Sequence, residues 1–288
     1  GKMAEKICIE IFTDPFCSWC WGSEPELRAL ESLYGDNLTI KIRMGALVPD
    51  IREAEDIYHA QERGFAYTNS KMVRYWPKPA AETQMPMEAA GFSLFSEDHP
   101  SGFPINIAYK AAELSADTHT AHAYLRRLRE GIFVDSALVN RPEVQVALAS
   151  ELGLDEERFK HQLDSGMAEK AFWDDVERGE ALQIDLYPTY IINYRGESER
   201  LKGYILYEQL DSAIQRLSHG KIKASPLEQT PEALVKLLDK YPRLAPAEIR
   251  RLFGFETVAD AAVWGKELAA TGIVALKNAG DRFLVEKP

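Results

Sequence analysis

The chain has 288 residues, 45% of them hydrophobic and 27% charged, and its 45 acidic against 34 basic side chains leave a formal charge of −11. An acidic protein of this kind is a poor general nucleic-acid binder, because a phosphate backbone wants the opposite field. No apolar run reaches the roughly 20 residues of a bilayer span, and three cysteines are too few for a secreted disulfide framework.

The first segment, GKMAEK, is short and charged and does not resemble a secretory signal, so the expectation is a cytoplasmic protein without a membrane partner. Ile7 to Phe12 (ICIEIF) reads as a buried strand and Leu38 to Arg43 (LTIKIR) as a second. Between them a helix is predicted to begin at DPFCSWCWG and to end at Gly35, a C′ glycine. Pro25 falls inside that helix, where it interrupts the hydrogen-bond ladder and bends the axis. The alternative is a helix that starts near Ser23, with Pro25 in its first turn.

From Gly45 to about Glu180 helical patterns dominate, as in Asn106 to Ala116, His119 to Phe133 and Arg141 to Gly153. Thr189 to Tyr204 reads as a hairpin turning near Arg195-Gly196, followed by a helix from about Leu206 to Leu217. This order fits an α/β, thioredoxin-like fold over residues 1–220, interrupted by a large helical insertion at about 45–180. After the linker HGKIKASPLEQ a second unit is expected at 226–288. Thr230 caps a helix with Pro231 at its first position, two more helical runs follow, and two strand-like pieces close the chain around Asn278-Ala279-Gly280. Three helices and a terminal hairpin make a small winged-helix-like α+β domain.

The chemistry centres on Cys17 and Cys20. Thiolate is the nucleophile, and an ordinary cysteine with pKa near 8.5 is mostly protonated at neutral pH. A helix starting at Cys17 would place unpaired N–H groups and the positive dipole end beside its sulfur, lowering its pKa. Cys20, one turn on and facing inward, would be the resolving thiol. A zinc half-site is the competing reading, but a closed site needs four ligands and there is no second CxxC. His119 and His122 share a helix face yet lack a matching partner motif, so they read as solvated. Cys8 reads as a small buried hydrophobe. Trp19, between the cysteines, is the candidate for substrate contact, and Trp21 is open to either contact or packing. The segment Arg63 to Met87, rich in Tyr, Trp, Pro and Met, either lines a groove over the site or forms the insertion's own core or a dimer contact.

Together, DPFCSWCWG and the late YPTYII (Tyr187 to Ile192) resemble the DsbA-like branch of the thioredoxin superfamily. The likeness is to its cytosolic, FrnE-like members, predicted protein-disulfide isomerases, and it runs from Ile7 to about Leu217. The resemblance implies a cis Pro188 packed opposite Cys17, with substrate backbone pairing through Tyr187 and its neighbour Thr189, and metals kept off the thiols. The resulting candidate set is Cys17, Cys20 and Pro188 as catalytic residues, with Trp19, Tyr187 and Thr189 for substrate.

Two departures from the relatives matter. Many carry a buried carboxylate about six residues before the first cysteine, where this chain has Ile11, which leaves proton transfer to water, Asp14 or Glu24. The kappa-class glutathione transferase and isomerase relatives commonly replace the first cysteine by serine, and this chain keeps both.

The function expected from these residues is thiol–disulfide exchange on protein or peptide substrates, with glutathione as a further candidate thiol and no cofactor. Two alternatives differ in class: a redox-responsive adapter or regulator with the winged-helix unit as output, and a glutathione-dependent isomerase. From Pro226 onward nine basic side chains face nine acidic ones, and the helix expected to read DNA sets Lys266 against Asp260 and Glu267. That neutrality favours a protein partner or homodimer contact over a phosphate backbone.

Overall fold

The structure, a computed structural model, describes residues 5–288; Gly1 to Ala4, most of the GKMAEK segment, lie outside the described residues. Strand β1 (Ile7–Thr13) runs through the centre of a four-stranded sheet of order β2-β1-β3-β4. Its parallel neighbour β2 (Leu38–Met44) sets Leu38 against Ile7 and Ile42 against Ile11. On the other side β3 (Thr189–Tyr194) is antiparallel, and β4 (Glu197–Lys202) forms the charged edge. The β3–β4 turn is Arg195-Gly196, both with positive φ, the conformation that matches the twist of a two-residue hairpin.

Period-two alternation decides the faces of β1. Ile7, Ile9 and Ile11 are buried, whereas Cys8 is exposed on the opposite face. The expectation of a buried Cys8 is therefore corrected: it shares the parity of Glu10, not that of the isoleucines.

The predicted single helix after β1 is two. Helix α1 (Ser18–Gly22) stops at Ser23, whose φ of −91° and ψ of 0° leave the helical region, and α2 (Glu24–Ala29) starts again with Pro25 in its first turn. Both readings of Pro25 hold in part: the cysteines begin a helix, and the proline begins the next. A wide turn over Leu30–Tyr34 and a tight one over Gly35–Asn37 lead into β2.

The insertion carries α3 (Glu55–Tyr58), α4 (Ala60–Arg63), α5 (Phe65–Val73), α6 (Pro77–Thr83), α7 (Phe103–Ser115), α8 (Thr118–Phe133), α9 (Pro142–Glu151), α10 (Glu156–Asp164) and α11 (Met167–Ala181). Asp117 caps α8 by accepting the Thr120 N–H at 2.8 Å. Helix α12 (Tyr207–Ser218) returns to pack against β3. Together the sheet and these helices bury one large core that includes Ile9, Leu30, Tyr109, Leu128, Phe133 and Ile192.

At the C-terminus α13 (Pro231–Lys240) is capped by Thr230, whose hydroxyl accepts the Ala233 N–H. Then come β5 (Arg243–Leu244), α14 (Pro246–Phe253), α15 (Val258–Ala270), β6 (Ala275–Ala279) and β7 (Arg282–Glu286), with a sheet of order β5-β7-β6. The three helices and closing hairpin are those expected; β5 is additional, and the hairpin turns at Gly280-Asp281. These elements share their own apolar cluster of Leu234, Leu238, Leu244, Ile249, Leu252 and Val285. They are not separate from the rest: α14 lies along α2, and Ala279 and Leu284 belong to the large core. Gly280, with φ of +64°, sits so close to the Met87 carbonyl that an added Cβ would lie 3.4 Å from that oxygen. Among the described residues no helix is long and apolar enough to cross a membrane.

Candidate redox site

The loop Asp14–Phe16 turns the chain from β1 into α1. Asp14 holds it from three directions: its carboxylate accepts the Phe16 N–H and the Leu47 N–H, each at 2.9 Å, and its carbonyl accepts the Cys17 N–H at 3.2 Å. Burial pushes the Asp14 carboxyl up, against the pull of those two backbone donors. Cys17 then stands at the N-cap of α1, and the Cys20 N–H donates to its sulfur at 3.2 Å.

Cys17 and Cys20 are 7% and 3% exposed, so Cys17 is the sulfur nearer to solvent, but neither is open. The peptide between Tyr187 and Pro188 is cis, and the Cys17 thiol donates to the Tyr187 carbonyl at 3.8 Å. The Tyr187 hydroxyl donates to the Gly45 carbonyl at 3.1 Å, its ring lying where a Gly45 side chain would stand. Thr189 is buried, and its hydroxyl donates to the Leu186 carbonyl at 2.6 Å. Its side chain thus ties the Leu186–Thr189 bend together and does not face the groove. Trp19 is half-buried, its ring 5.7 Å from that of Tyr204. Trp21 is fully buried, stacked on Phe133 with its Nε1–H donated to the Pro86 carbonyl; packing is its role.

The electrostatics differ from the sequence expectation. A helix of five residues gives Cys17 little dipole, and burial pushes its thiol well up, with the adjacent Cys20 adding to the effect. Burial would raise Cys20 as well, but the adjacent Cys17 thiol, the Arg129 guanidinium and the Thr13 hydroxyl outweigh it and hold Cys20 below the ordinary thiol value. Such a pair loses its protons as a unit: the first anion is favoured on the inner sulfur, Cys20, and a second is strongly disfavoured.

Arg129 is the residue that sequence reading missed. It is fully buried on α8 and lines one small cavity with Cys20, Thr13, Ser23 and Pro188. Its guanidinium donates to Glu24 at 2.8 Å, to the Thr13 hydroxyl at 2.5 Å and to the Asp14 carbonyl at 3.4 Å. Glu24 is also paired with Arg28 and Arg126. Although burial works the other way, these three cations hold Glu24 down at about 2. A carboxylate that stays ionised at neutral pH is no proton donor to Cys20, which removes Glu24 as a relay. The signal in the sequence was the run Arg126, Arg129, Glu130 on one face of a helix that also carries Leu125, Leu128 and Ile132.

Outside the thiols the site opens into a groove of about 370 Å³ formed by Phe16, Trp19, Leu47, Val48, Ile57, Tyr58, Met72, Tyr75 and Trp76. Three of these, Met72, Tyr75 and Trp76, lie in the Arg63 to Met87 segment, whose Met85 is instead core. The segment therefore serves both purposes. His122, expected in solvent, is buried with its Nδ1 4.0 Å from Glu31, and burial lowers its pKa. His119 sets its ring edge against Tyr241.

A thioredoxin family profile matches residues 11–211, from the core of β1 into α12. The chain belongs to the thioredoxin family. It is 31% identical to the ClpXP adapter protein SpxH of Shouchella clausii over 244 residues, 84% of this chain and 76% of that protein. Its fold is similar to that of a chain from Nitrosomonas europaea assigned provisionally as a protein disulfide isomerase, with a TM-score of 0.61 at 20% identity over 75% of this chain and all of the other. It is similar as well to the cytosolic disulfide reductase DsbM of Pseudomonas aeruginosa, with a TM-score of 0.52 at 21% identity over 68% and 89% of the two chains. At these identities the two structures speak for the fold.

Proposed function

We propose that this protein is a redox-responsive adapter, which binds a protein client on the face around Cys17 and uses the Cys17–Cys20 pair to sense or exchange disulfides there. The observation that carries this reading is the setting of the thiols: nearly closed sulfurs beside an apolar groove that Cys17 helps to line. Leu47, Ile57 and Tyr75 are all well exposed on the groove, and apolar surface of that kind marks protein contact. A raised Cys17 thiol with the anion held inward suits slow, client-dependent exchange better than rapid turnover. The relative in Shouchella, named as an adapter for ClpXP, supports the same assignment and suggests that a ClpXP-type protease receives the client. A cytoplasmic location belongs to this reading.

Thiol–disulfide turnover on many substrates is the second reading, favoured by the intact pair beside the cis Pro188. In it Cys17 attacks or presents the labile disulfide, Cys20 resolves it, and Tyr187 and Trp19 hold the substrate, with Thr189 fixing the bend. Glutathione chemistry is disfavoured, since Lys71 is the one charged side chain lining the groove and its ammonium is donated to the Ile57 carbonyl. Among the described residues lining the groove, a tripeptide with two carboxylates finds one cation, Lys71, for the pair.

The C-terminal unit reads as a winged-helix-like scaffold for protein contact. Its hairpin tip is sealed against Met87 and Glu88, and its exposed helix α15 carries Asp260, Lys266 and Glu267 without a basic face.

The deciding experiment compares wild type, Cys17→Ser and the Cys17→Ser/Cys20→Ser variant in two assays. One is insulin reduction driven by dithiothreitol; the other is ClpXP degradation of a client identified by photo-crosslinking from position 57 or 75. An adapter stimulates degradation, responds to oxidation only when both cysteines are present, and reduces insulin hardly faster than dithiothreitol alone. Fast, Cys17-dependent insulin reduction with no effect on degradation would replace it by the enzyme.

A further inference from the structure

The C-terminal unit reaches the redox pair through charge. Glu248 of α14 is fully buried, and its carboxylate accepts from Arg126 at 2.5 and 2.7 Å, with Arg28 at 3.5 Å. Arg126 and Arg28 are the same two cations that hold Glu24, and Glu24 is the partner of Arg129 beside Cys20. Every member of this chain is buried: Glu248, Arg126, Arg28, Glu24, Arg129 and Cys20. Glu130 also binds Arg126, Glu31 binds Arg28, and Tyr241 lies under the Arg28 guanidinium at 4.3 Å. The Arg129 Nε–H has no partner among the described residues, so that guanidinium is not fully engaged by its acid.

We propose that Arg129 is the electrostatic positioning residue of the Cys17–Cys20 pair, and that Glu248, delivered by the C-terminal unit, sets how strongly Arg129 acts. The inference rests on the pair being a working dithiol, as the proposed function holds. Its half-reaction takes two electrons and one proton where Cys20 stays a thiolate, or two protons where both sulfurs are thiols: in a glutathione buffer two molecules of glutathione supply the electrons and two protons and leave as one glutathione disulfide, and any proton the pair does not take goes to the buffer.

The signs follow from Coulomb's law in a dry interior. A cation beside Cys20 stabilises the thiolate, hence the reduced form, and raises the potential. Removing Arg129 withdraws that help. Removing the charge of Glu248 leaves Arg126 and Arg28 short of an acid; they draw Glu24 toward themselves and release Arg129 toward the sulfur. The two changes therefore push in opposite directions, which loosening of the site alone would not do.

The test measures the Cys17–Cys20 equilibrium of the full-length protein in glutathione redox buffers, for wild type, Arg129→Met, Arg129→Lys and Glu248→Gln. Arg129→Met is expected to shift it about tenfold toward the disulfide, about 30 mV, with Arg129→Lys restoring part of the difference. Glu248→Gln is expected to shift it about threefold toward the dithiol. The Arg129→Met difference should shrink as pH falls from 8 to 5 and the thiolate takes up its proton; Asp14, the other acid near the pair, is common to all variants. Shifts of equal sign, or none beyond twofold, overturn the proposal. Should the variants fail to fold, thiolate absorbance of the wild type decides: a first ionisation at or above the ordinary thiol value near 8.5 also overturns it. A pair that never closes its disulfide would instead defeat the dithiol reading itself.

Discussion

The Cys17 sulfur lies 3.8 Å from the Tyr187 carbonyl oxygen, so the thiol is hydrogen-bonded to the backbone group just before the cis proline. The two halves of the motif, 170 residues apart, meet at that contact. It also keeps Cys17 occupied until a partner displaces it.

Trapping should expose this exchange. In Cys20→Ser a mixed disulfide formed at Cys17 has no internal thiol to release it, so disulfide-linked adducts should accumulate in cells and survive non-reducing gels. Cys17→Ser should show none. Intact-mass spectrometry of the purified variants gives the comparison, and equal adduct levels in the two would reverse the assigned roles.

Client affinity should depend on the apolar rim without involving stability. Ile57 and Tyr75 are 57% and 69% exposed, and substitutions at such positions usually change stability by no more than about 0.5 kcal/mol. Ile57→Asp with Tyr75→Ala should weaken client binding at least tenfold, while the thermal midpoint stays at the wild-type value. Unchanged binding by titration calorimetry would move the client elsewhere.

Gly45 should tolerate no side chain. A Cβ there would lie 2.7 Å from two ring atoms of Tyr187 and 3.0 Å from the Thr13 carbonyl. Gly45→Ala should cost about 1–3 kcal/mol by overpacking and displace Tyr187. Chemical denaturation measures the first effect; a changed alkylation rate at Cys17 reports the second.

Acid stability should depend on Glu24. Its carboxyl is held down at about 2 from an ordinary 4.5, so the unfolded chain binds its proton first as pH falls. The stabilisation is complete above about pH 4.5 and is lost progressively toward pH 2, for a total of about 3 kcal/mol. Glu24→Gln should remove this dependence and, by leaving Arg28, Arg126 and Arg129 short of their shared acid, destabilise the protein at pH 7 by about 3–5 kcal/mol. Urea unfolding at pH 3, 5 and 7 tests both.

What the sequence revealed depended on how local the physics was. The hairpin turn at Arg195-Gly196, the Thr230 cap and the three insertion helices near 106–116, 119–133 and 141–153 follow from neighbours along the chain, and each could be read; the short helices between Glu55 and Thr83 were not. The thioredoxin order of strands and helices followed from these pieces. Cys8 was misread although the information was present, because alternation with Ile7 and Ile9 puts it on the side of Glu10. Arg129 was out of reach for a different reason: its partners Glu24 and Thr13 lie 105 and 116 residues away, and a lone arginine in a helix reads as solvated. The Cys17 thiol went astray because a helix start was weighed and desolvation was not, the larger of the two once five residues of helix face a nearly closed site.

The packing of the β6–β7 tip against the Met87 carbonyl and the Glu88 side chain bears on how shortened versions of this protein will behave. A cut at Pro226 would lift the lid from α2 and leave Arg28 and Arg126 facing water without Glu248. Whatever such a fragment does or fails to do with its thiols will report on the lost cover as much as on the thioredoxin unit itself.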